Sequence, residues 1–348
     1  MTNLNEYYED TDYKRPRKKK RTARVVLLAV VALVLIAAIG AGAYLFSLAR
    51  SFDTGTTKLE NVFPEESLRP VKTPEAEGAV NILLLGNDTR ATDNGDENFA
   101  SLPNGGRSDT MMLVHLPADR KGAYVTSIMR DTWLDIPGHG KAKINAAFAY
   151  GGVALAVQTL EGLLDTRIDH VAAVDFEGFK GLTDALGGVE INNPIAFQQH
   201  LKNGIQFPQG VQTLNGEEAL AFVRERYAFK DGDYQRVRNQ QLYVKAVLGT
   251  LMSKETLTDP AKISDSIKQL APYIAVDDTL DAVKVAQLGA TMTGIRPSDM
   301  DFFTLPNKGT GRSADGQSIV VPDMAVIGDF AKALNSDSVS QFVEDNNL

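Results

Sequence analysis

The sequence predicts an α/β fold: a three-layer α-β-α domain with a mixed central sheet, carried behind a single transmembrane helix. Apolar runs of strand length, such as AVNILLLG at residues 79–86, alternate with longer helical stretches, and that alternation implies a sheet covered on both faces. At 348 residues and 43% hydrophobic, the chain can bury at least one large core. Between Val25 and Ala49 no charged residue occurs, and these 25 positions, at about 1.5 Å each, suffice to cross a hydrocarbon layer of roughly 30 Å.

Met1 to Asp12 is polar and acidic, a composition that favours disorder. Lys14, Arg15, Arg17, Lys18, Lys19, Lys20, Arg21 and Arg24 then form a dense basic block. Positive charge before the apolar run and little after it places the N-terminus in the cytoplasm and the rest of the chain outside the cell membrane, as a single-pass protein. Ala41-Gly42-Ala43 resembles a signal-peptide cleavage site, but the apolar run is longer than a normal signal core, so an uncleaved anchor is the reading. The expected organisation is a cytoplasmic tail (1–24), an anchor (25–49), a Pro/Glu/Thr-rich stalk (50–78), an α/β domain (79–335) and a short C-terminal tail (336–348).

Composition excludes several chemistries. There is no cysteine, which removes disulfides, thiol nucleophiles and zinc–thiolate sites. The four histidines lack metal-ligand spacing. A pI near 5.2 argues against a nucleic-acid binder. Beyond Arg24 the chain carries 28 cations against 40 acids, a formal charge of -12. An acidic exterior that still clusters arginines uses them for something specific.

Within the domain, AVNILLLG is the first strand and ends at Asn87-Asp88-Thr89-Arg90. A polar loop (residues 91–106) leads through Arg107-Ser108-Asp109-Thr110 into the strand MMLVHL, and AYVTSIM (residues 123–129) is a third strand, ending at Arg130-Asp131-Thr132. Asn145 is the expected cap of the helix AAFAYGGVALAVQTLEGLL. Strands follow at 170–176 and 189–191 with the helix EGFKGLTDALGG between them, and another helix opens at Leu214-Asn215-Gly216-Glu217. Helices to Leu257, over 259–274 and over 280–293, strands at 301–305 and 318–322, and a helix over 324–334 complete the pattern.

The charges converge on the stretch FVRERYAFKDGDYQRVRNQQ (residues 222–241). On an extended strand, Arg224 and Arg226 share one face. Asp233 is the expected N-cap of the next helix, on which Arg236 and Gln240 lie one turn apart on the same face. Arginine forks beside a helix N-terminus suit a pyrophosphate. Three further Arg/Asp pairs lie at strand ends or starts, Asp88 with Arg90, Arg107 with Asp109 and Arg130 with Asp131, where open α/β sheets bind ligands. Interleaved aspartates suit Mg²⁺, an ion that prefers oxygen ligands.

These residues resemble the LytR-CpsA-Psr glycopolymer transferases of Gram-positive cell envelopes. The matching motifs, in order, are GNDTR (86–90), RSDTMML (107–113), SIMRDTW (127–133), KINAAFAYGG (143–152), VDFEGFKGLTDALGGVEI (174–191), LNGEEALAFVRERY (214–227) and GDYQRVRNQQ (232–241). The resemblance implies a Mg²⁺-dependent phosphotransferase that takes a glycopolymer from a polyprenyl-pyrophosphate carrier and joins it to peptidoglycan through a phosphodiester. It implies Asp88 and Asp109 as metal ligands. Arg90, Arg107, Arg130, Arg224, Arg226 and Arg236 would grip the pyrophosphate, with Lys143 and Gln240 nearby. Asp88 or Asp131 would accept the acceptor hydroxyl's proton. The helix AAFAYGGVALAVQTL and the FEGF segment would line an apolar tunnel for the lipid. Many relatives carry an arginine where this chain has Asn239 and some a glycine at Gln235, so either Arg236 or Arg238 supplies the last cation. Two other readings compete: a lipid-pyrophosphate phosphatase using water, and a non-enzymatic membrane-bound regulator. The sequence has no G-x-x-x-x-G-K-[ST] loop for a nucleotide and no G-x-S-x-G elbow.

Overall fold

The computed structural model describes residues 43–44, 46–87, 108–253 and 259–348, apart from the side chains of Ser108, Asp109 and Pro260. Thr57–Leu59 (β1), Val80–Asn87 (β2), Ser108–Leu116 (β3) and Ala123–Ile128 (β4) come first, then the hairpin Trp133–Ile136 (β5) and Gly140–Lys143 (β6). Helix Asn145–Leu164 (α1), strand His170–Asp175 (β7) and helix Phe176–Ala185 (α2) follow. Val189–Asn193 (β8), Phe197–Gln198 (β9), Gln206–Phe207 (β10) and Gly210–Leu214 (β11) make two small antiparallel pairs ahead of Gly216–Arg224 (α3) and Asp233–Leu251 (α4). Pro260–Leu270 (α5), Ala275–Asp277 (β12), Ala282–Met292 (α6) and Met300–Thr304 (β13) lead to the hairpin Asn307–Arg312 (β14) and Ser318–Pro322 (β15). Met324–Asn335 (α7) and Val339–Asn346 (α8) end the chain.

Seven strands form the central mixed sheet in the order β1-β12-β7-β2-β3-β4-β13. β2 lies at its middle, parallel to β7 and antiparallel to β3. Its sequence is apolar throughout, yet its burial alternates. Leu83 and Leu85 are buried in the core formed with α1, α7 and α8. On the opposite face Val80, Ile82, Leu84 and Gly86 are only half-buried. A strand with both sides packed would show no such alternation. Part of the second face is hollow.

α1 is the one described helix long and apolar enough to cross a membrane, but it is a core helix. Ala156, Val157 and Leu160 are buried against the sheet, and Glu161, at 1% exposure, forms an ion pair with Arg69 at 2.7 Å. Gly152 breaks it with φ 66° and ψ -156°, a conformation that a side chain disfavours. The helix begins at Asn145 with Ile144 as its cap, one residue earlier than expected. The proposed anchor, residues 25–49, lies outside the described residues except for its last few positions.

Two segments differ from expectation. Residues 50–78 pack onto the body: β1 pairs with β12, Leu59 and Val62 are buried, and Lys72 reaches Asp169 at 2.8 Å. Residues 336–348 carry α8, whose Val339, Phe342 and Val343 join the main core. The partner of β1 is distant in sequence, so local composition does not show that contact.

Candidate active site

The hollow face of β2 opens on a cavity of about 500 Å³. Leu84, Met112, Ala172 and Val174 form its sheet side, Phe179 and Leu182 of α2 one wall, and Val223, Val244 and Val247 of α3 and α4 the other. Gly86 sits on this face because a Cβ there would come within 2.9 Å of the Thr110 side chain. The Phe179 and Tyr243 rings meet at 4.3 Å, and the Tyr243 hydroxyl lies 2.7 Å from Thr183 Oγ1, fastening α2 to α4. Burial pushes the Tyr243 phenol up to about 12, so that polar pair stays neutral at physiological pH. The FEGF segment does line the cavity through Phe176 and Phe179, but the helix AAFAYGGVALAVQTL does not. Its apolar face is spent on the opposite side of the sheet, in the main core.

Cations crowd one part of the lining: Arg130, Arg224, Arg226 and Arg236, together with Gln240 and Tyr227. Arg130 follows β4 in a turn that neighbouring elements pin. Thr132 N–H donates to Met129 O at 2.9 Å, Asn145 N–H to Arg130 O at 3.2 Å, and Val320 N–H to Asp131 O at 2.9 Å. Arg224 and Arg226 are not on a strand as expected. Arg224 ends α3, a helix opened by a capping box of Asn215 and Glu218, and Glu225 turns extended at φ -65°, ψ 131°. The Arg224 guanidinium lies 4.1 Å from the Phe176 ring centroid, and among the described residues no carboxylate lies within ion-pair distance of it. Stacking fixes its plane and leaves its edge N–H groups for a ligand.

α4 begins with Asp233 as its first helical residue and Gly232 as its cap, again one position from expectation. The Asp233 carboxylate therefore points into the site and bridges Arg226 at 3.4 Å and Arg236 at 3.1 Å. Arg226 also donates to the Tyr227 hydroxyl at 2.5 Å. That hydrogen bond, with Asp233 close by, holds the guanidinium above its ordinary pKa. Gln240 lies on the same face as Arg236 and donates to Val223 O at 3.4 Å, tying α4 to the end of α3.

Arg238, the other candidate for the last cation, is turned away. It pairs with Asp231 and donates from Nε to Gln235 at 2.9 Å, and its side chain is half exposed. Gln235 in turn donates to Asn239 at 3.0 Å, and Asn239 to Phe222 O at 3.2 Å. Gln235 and Asn239 thus touch each other and make one buried relay between α4 and α3. Lys143 is also outside the cavity lining: it meets Asp131 at 3.4 Å, with Arg130 Nε at 3.8 Å from the same carboxylate. The sequence reading overlooked three contributors, Asp233 as a bridge, Phe176 as a platform and Tyr227 at the lining. Each acts through tertiary placement, although all three sit inside the matching motifs.

Asp88, Arg90 and Arg107 lie outside the described residues, as does the side chain of Asp109, whose backbone is in β3. Among the described residues no cluster of three or more His, Asp or Glu could hold a metal. Asp131 and Asp233 are committed to cations, and Asp175 caps α2 by accepting from Gly178 N–H at 2.6 Å. The described carboxylates do not fit a Mg²⁺ site by themselves.

An apolar cavity lined in one region by four guanidiniums defines a class: a protein that takes an amphiphile with a strongly anionic head. The chain belongs to the LytR_cpsA_psr family, whose model matches residues 45–336. It is 32% identical over 249 residues to the Polyisoprenyl-teichoic acid--peptidoglycan teichoic acid transferase TagU of Enterococcus faecalis, spanning 70% of this chain and 77% of that one. The Cell wall biosynthesis protein LcpA of Corynebacterium glutamicum is 31% identical over 284 residues, 72% of this chain and 54% of its own length. Among solved structures, TagV of B. subtilis superposes with TM-score 0.63 at 27% identity, over 75% of this chain and 97% of TagV. TagT bound to LI-WTA gives 0.58 at 25% identity, over 80% and 99%.

Proposed function

We propose that this chain is a phosphotransferase that moves a glycopolymer from a polyprenyl-pyrophosphate carrier to peptidoglycan, at the outer face of the cell membrane and in cell wall assembly. The observation that carries the reading is the continuity of apolar cavity and arginine cluster in one lining. The lipid occupies the cavity and the pyrophosphate meets Arg130, Arg224, Arg226 and Arg236. The acceptor hydroxyl oxygen attacks the phosphorus that bears the glycopolymer. The bond from that phosphorus to the bridging oxygen breaks, and polyprenyl phosphate leaves with the electron pair. The arginines neutralise charge on the transferring group and on the leaving phosphate, and positioned cations of this kind are the main catalytic term in phosphoryl transfer.

One oxygen of Asp131, Oδ1, lies 3.4 Å from Lys143 Nζ and 3.8 Å from Arg130 Nε, so its role in this reading is to orient those cations. The hydroxyl proton is assigned to Asp88. Mg²⁺, if bound by Asp88 and Asp109, would supply further charge neutralisation at the pyrophosphate. The N-terminal apolar run would hold the site near lipid-borne donors. The test is incubation with a lipid-linked glycan donor and peptidoglycan fragments, with and without Mg²⁺. Polymer joined to peptidoglycan through a phosphodiester supports the reading; free polymer phosphate marks a phosphatase, and tight lipid binding without turnover marks a regulator.

A further inference from the structure

Glu225 stands between two arginines of the site, where an acid would be expected to pair with one of them. It pairs with neither. Its side chain is buried at 6% exposure and turns to the backbone. Oε1 accepts from the N–H groups of Arg226 at 2.9 Å, Tyr227 at 2.7 Å and Ala228 at 3.0 Å. Oε2 accepts from His200 N–H at 2.8 Å. One carboxylate thus collects four backbone donors, winding residues 225–228 around itself and fastening them to the turn between β9 and β10.

We infer that Glu225 is a positioning residue: by taking up four backbone N–H groups it fixes how Arg224 and Arg226 present their guanidiniums to a diphosphate. α3 ends at Arg224, and its last carbonyls give this loop only one backbone tie, Glu225 N–H to Ala221 O at 3.2 Å. Beyond that point the next backbone bond is Phe229 N–H to Arg226 O at 3.3 Å, and the amides of residues 226–228 in between are taken up by Glu225. Its orientation away from the guanidiniums also leaves Arg224 unpaired by any described carboxylate, with charge to offer a ligand. Glutamine in its place has one accepting oxygen and a donor amide. It serves either the three N–H groups of the loop or the single N–H of His200, and leaves the rest buried without an acceptor.

The inference rests on the diphosphate reading of the site and is tested beside it. Binding of geranylgeranyl pyrophosphate to the full chain is measured for wild type, Glu225→Gln, Arg224→Ala with Arg226→Ala, and all three substitutions combined. Amide hydrogen exchange at residues 200 and 226–228 is followed in wild type and Glu225→Gln. The expected result is a loss of about tenfold or more for Glu225→Gln. The loss disappears in the background lacking both arginines, and exchange quickens at the four amides. Wild-type affinity in Glu225→Gln, or an undiminished loss in the arginine-free background, overturns the inference while leaving the site reading intact. A wild-type protein that does not bind the diphosphate overturns the site reading itself and the inference with it.

Discussion

Arg236 and Arg238 are two residues apart on α4, equally charged, and opposite in use. Arg236 is buried beside Asp233 in the cavity lining, whereas Arg238 meets Asp231 in solvent. Arg238→Ala is therefore expected to leave transfer within about twofold of wild type, because exposed ion pairs contribute little. Arg236→Ala is expected to lower kcat/KM by about 100-fold or more, the scale of removing one preorganised donor to a developing negative charge. Arg224→Ala should fall as far, with a stability cost of about 1 kcal/mol or less from the lost stacking on Phe176. Arg224→Lys should not restore activity, since a lysine cannot supply the planar fork. Steady-state transfer kinetics alongside thermal unfolding check all four variants.

At the scale of elements, the cavity follows from α2 and α4 standing off the sheet, with Phe179, Tyr243 and Thr183 joining them. Val247→Trp on α4 puts an indole into the lipid space; it should weaken a long-chain donor by about tenfold or more while a short-chain donor is affected less, as overfilled apolar space resists further occupancy. A second element, β12, is held by Asp277, which is fully buried and accepts from Val171 N–H at 2.9 Å. Burial raises its pKa, but hydrogen bonds from His170, Thr279 and Val171 outweigh that and hold it below the usual carboxylate range. Its contribution is therefore fully present above the unfolded value, near pH 4, and is lost as pH falls through the lower folded value. Asp277→Asn should cost about 3 kcal/mol at neutral pH and flatten the acid limb of stability, as read by urea unfolding across pH. The strands flanking the site were legible because apolar runs such as AVNILLLG bury themselves locally. The small pairs β5–β6 and β9–β10 were not, since each strand is only two to four residues long and only tertiary neighbours settle them. The same limit hid α8, which reads as a tail until its three apolar residues meet the core.

For the whole molecule, the sheet divides two tasks. One face carries a packed core under α1, α7 and α8; the other carries the amphiphile cavity under α2, α3 and α4. Of the arginines that the motifs single out, Arg130, Arg224, Arg226 and Arg236 share one lining, Arg238 turns away, and Arg90 and Arg107 lie outside the described residues. What the sequence could not reveal was backbone direction: Arg224 arrives on a helix end, and Asp233 bridges its neighbours instead of capping a helix. In the proposed function, head and tail of one lipid diphosphate bind this single continuous site. Its most direct test is titration calorimetry with a polyprenyl pyrophosphate, the matching polyprenol and inorganic pyrophosphate, against wild type and Arg130→Ala. Tight binding is expected only for the ligand that has both parts, with loss of that advantage in Arg130→Ala. Equal affinity for the polyprenol, or an undiminished diphosphate preference in Arg130→Ala, would contradict it.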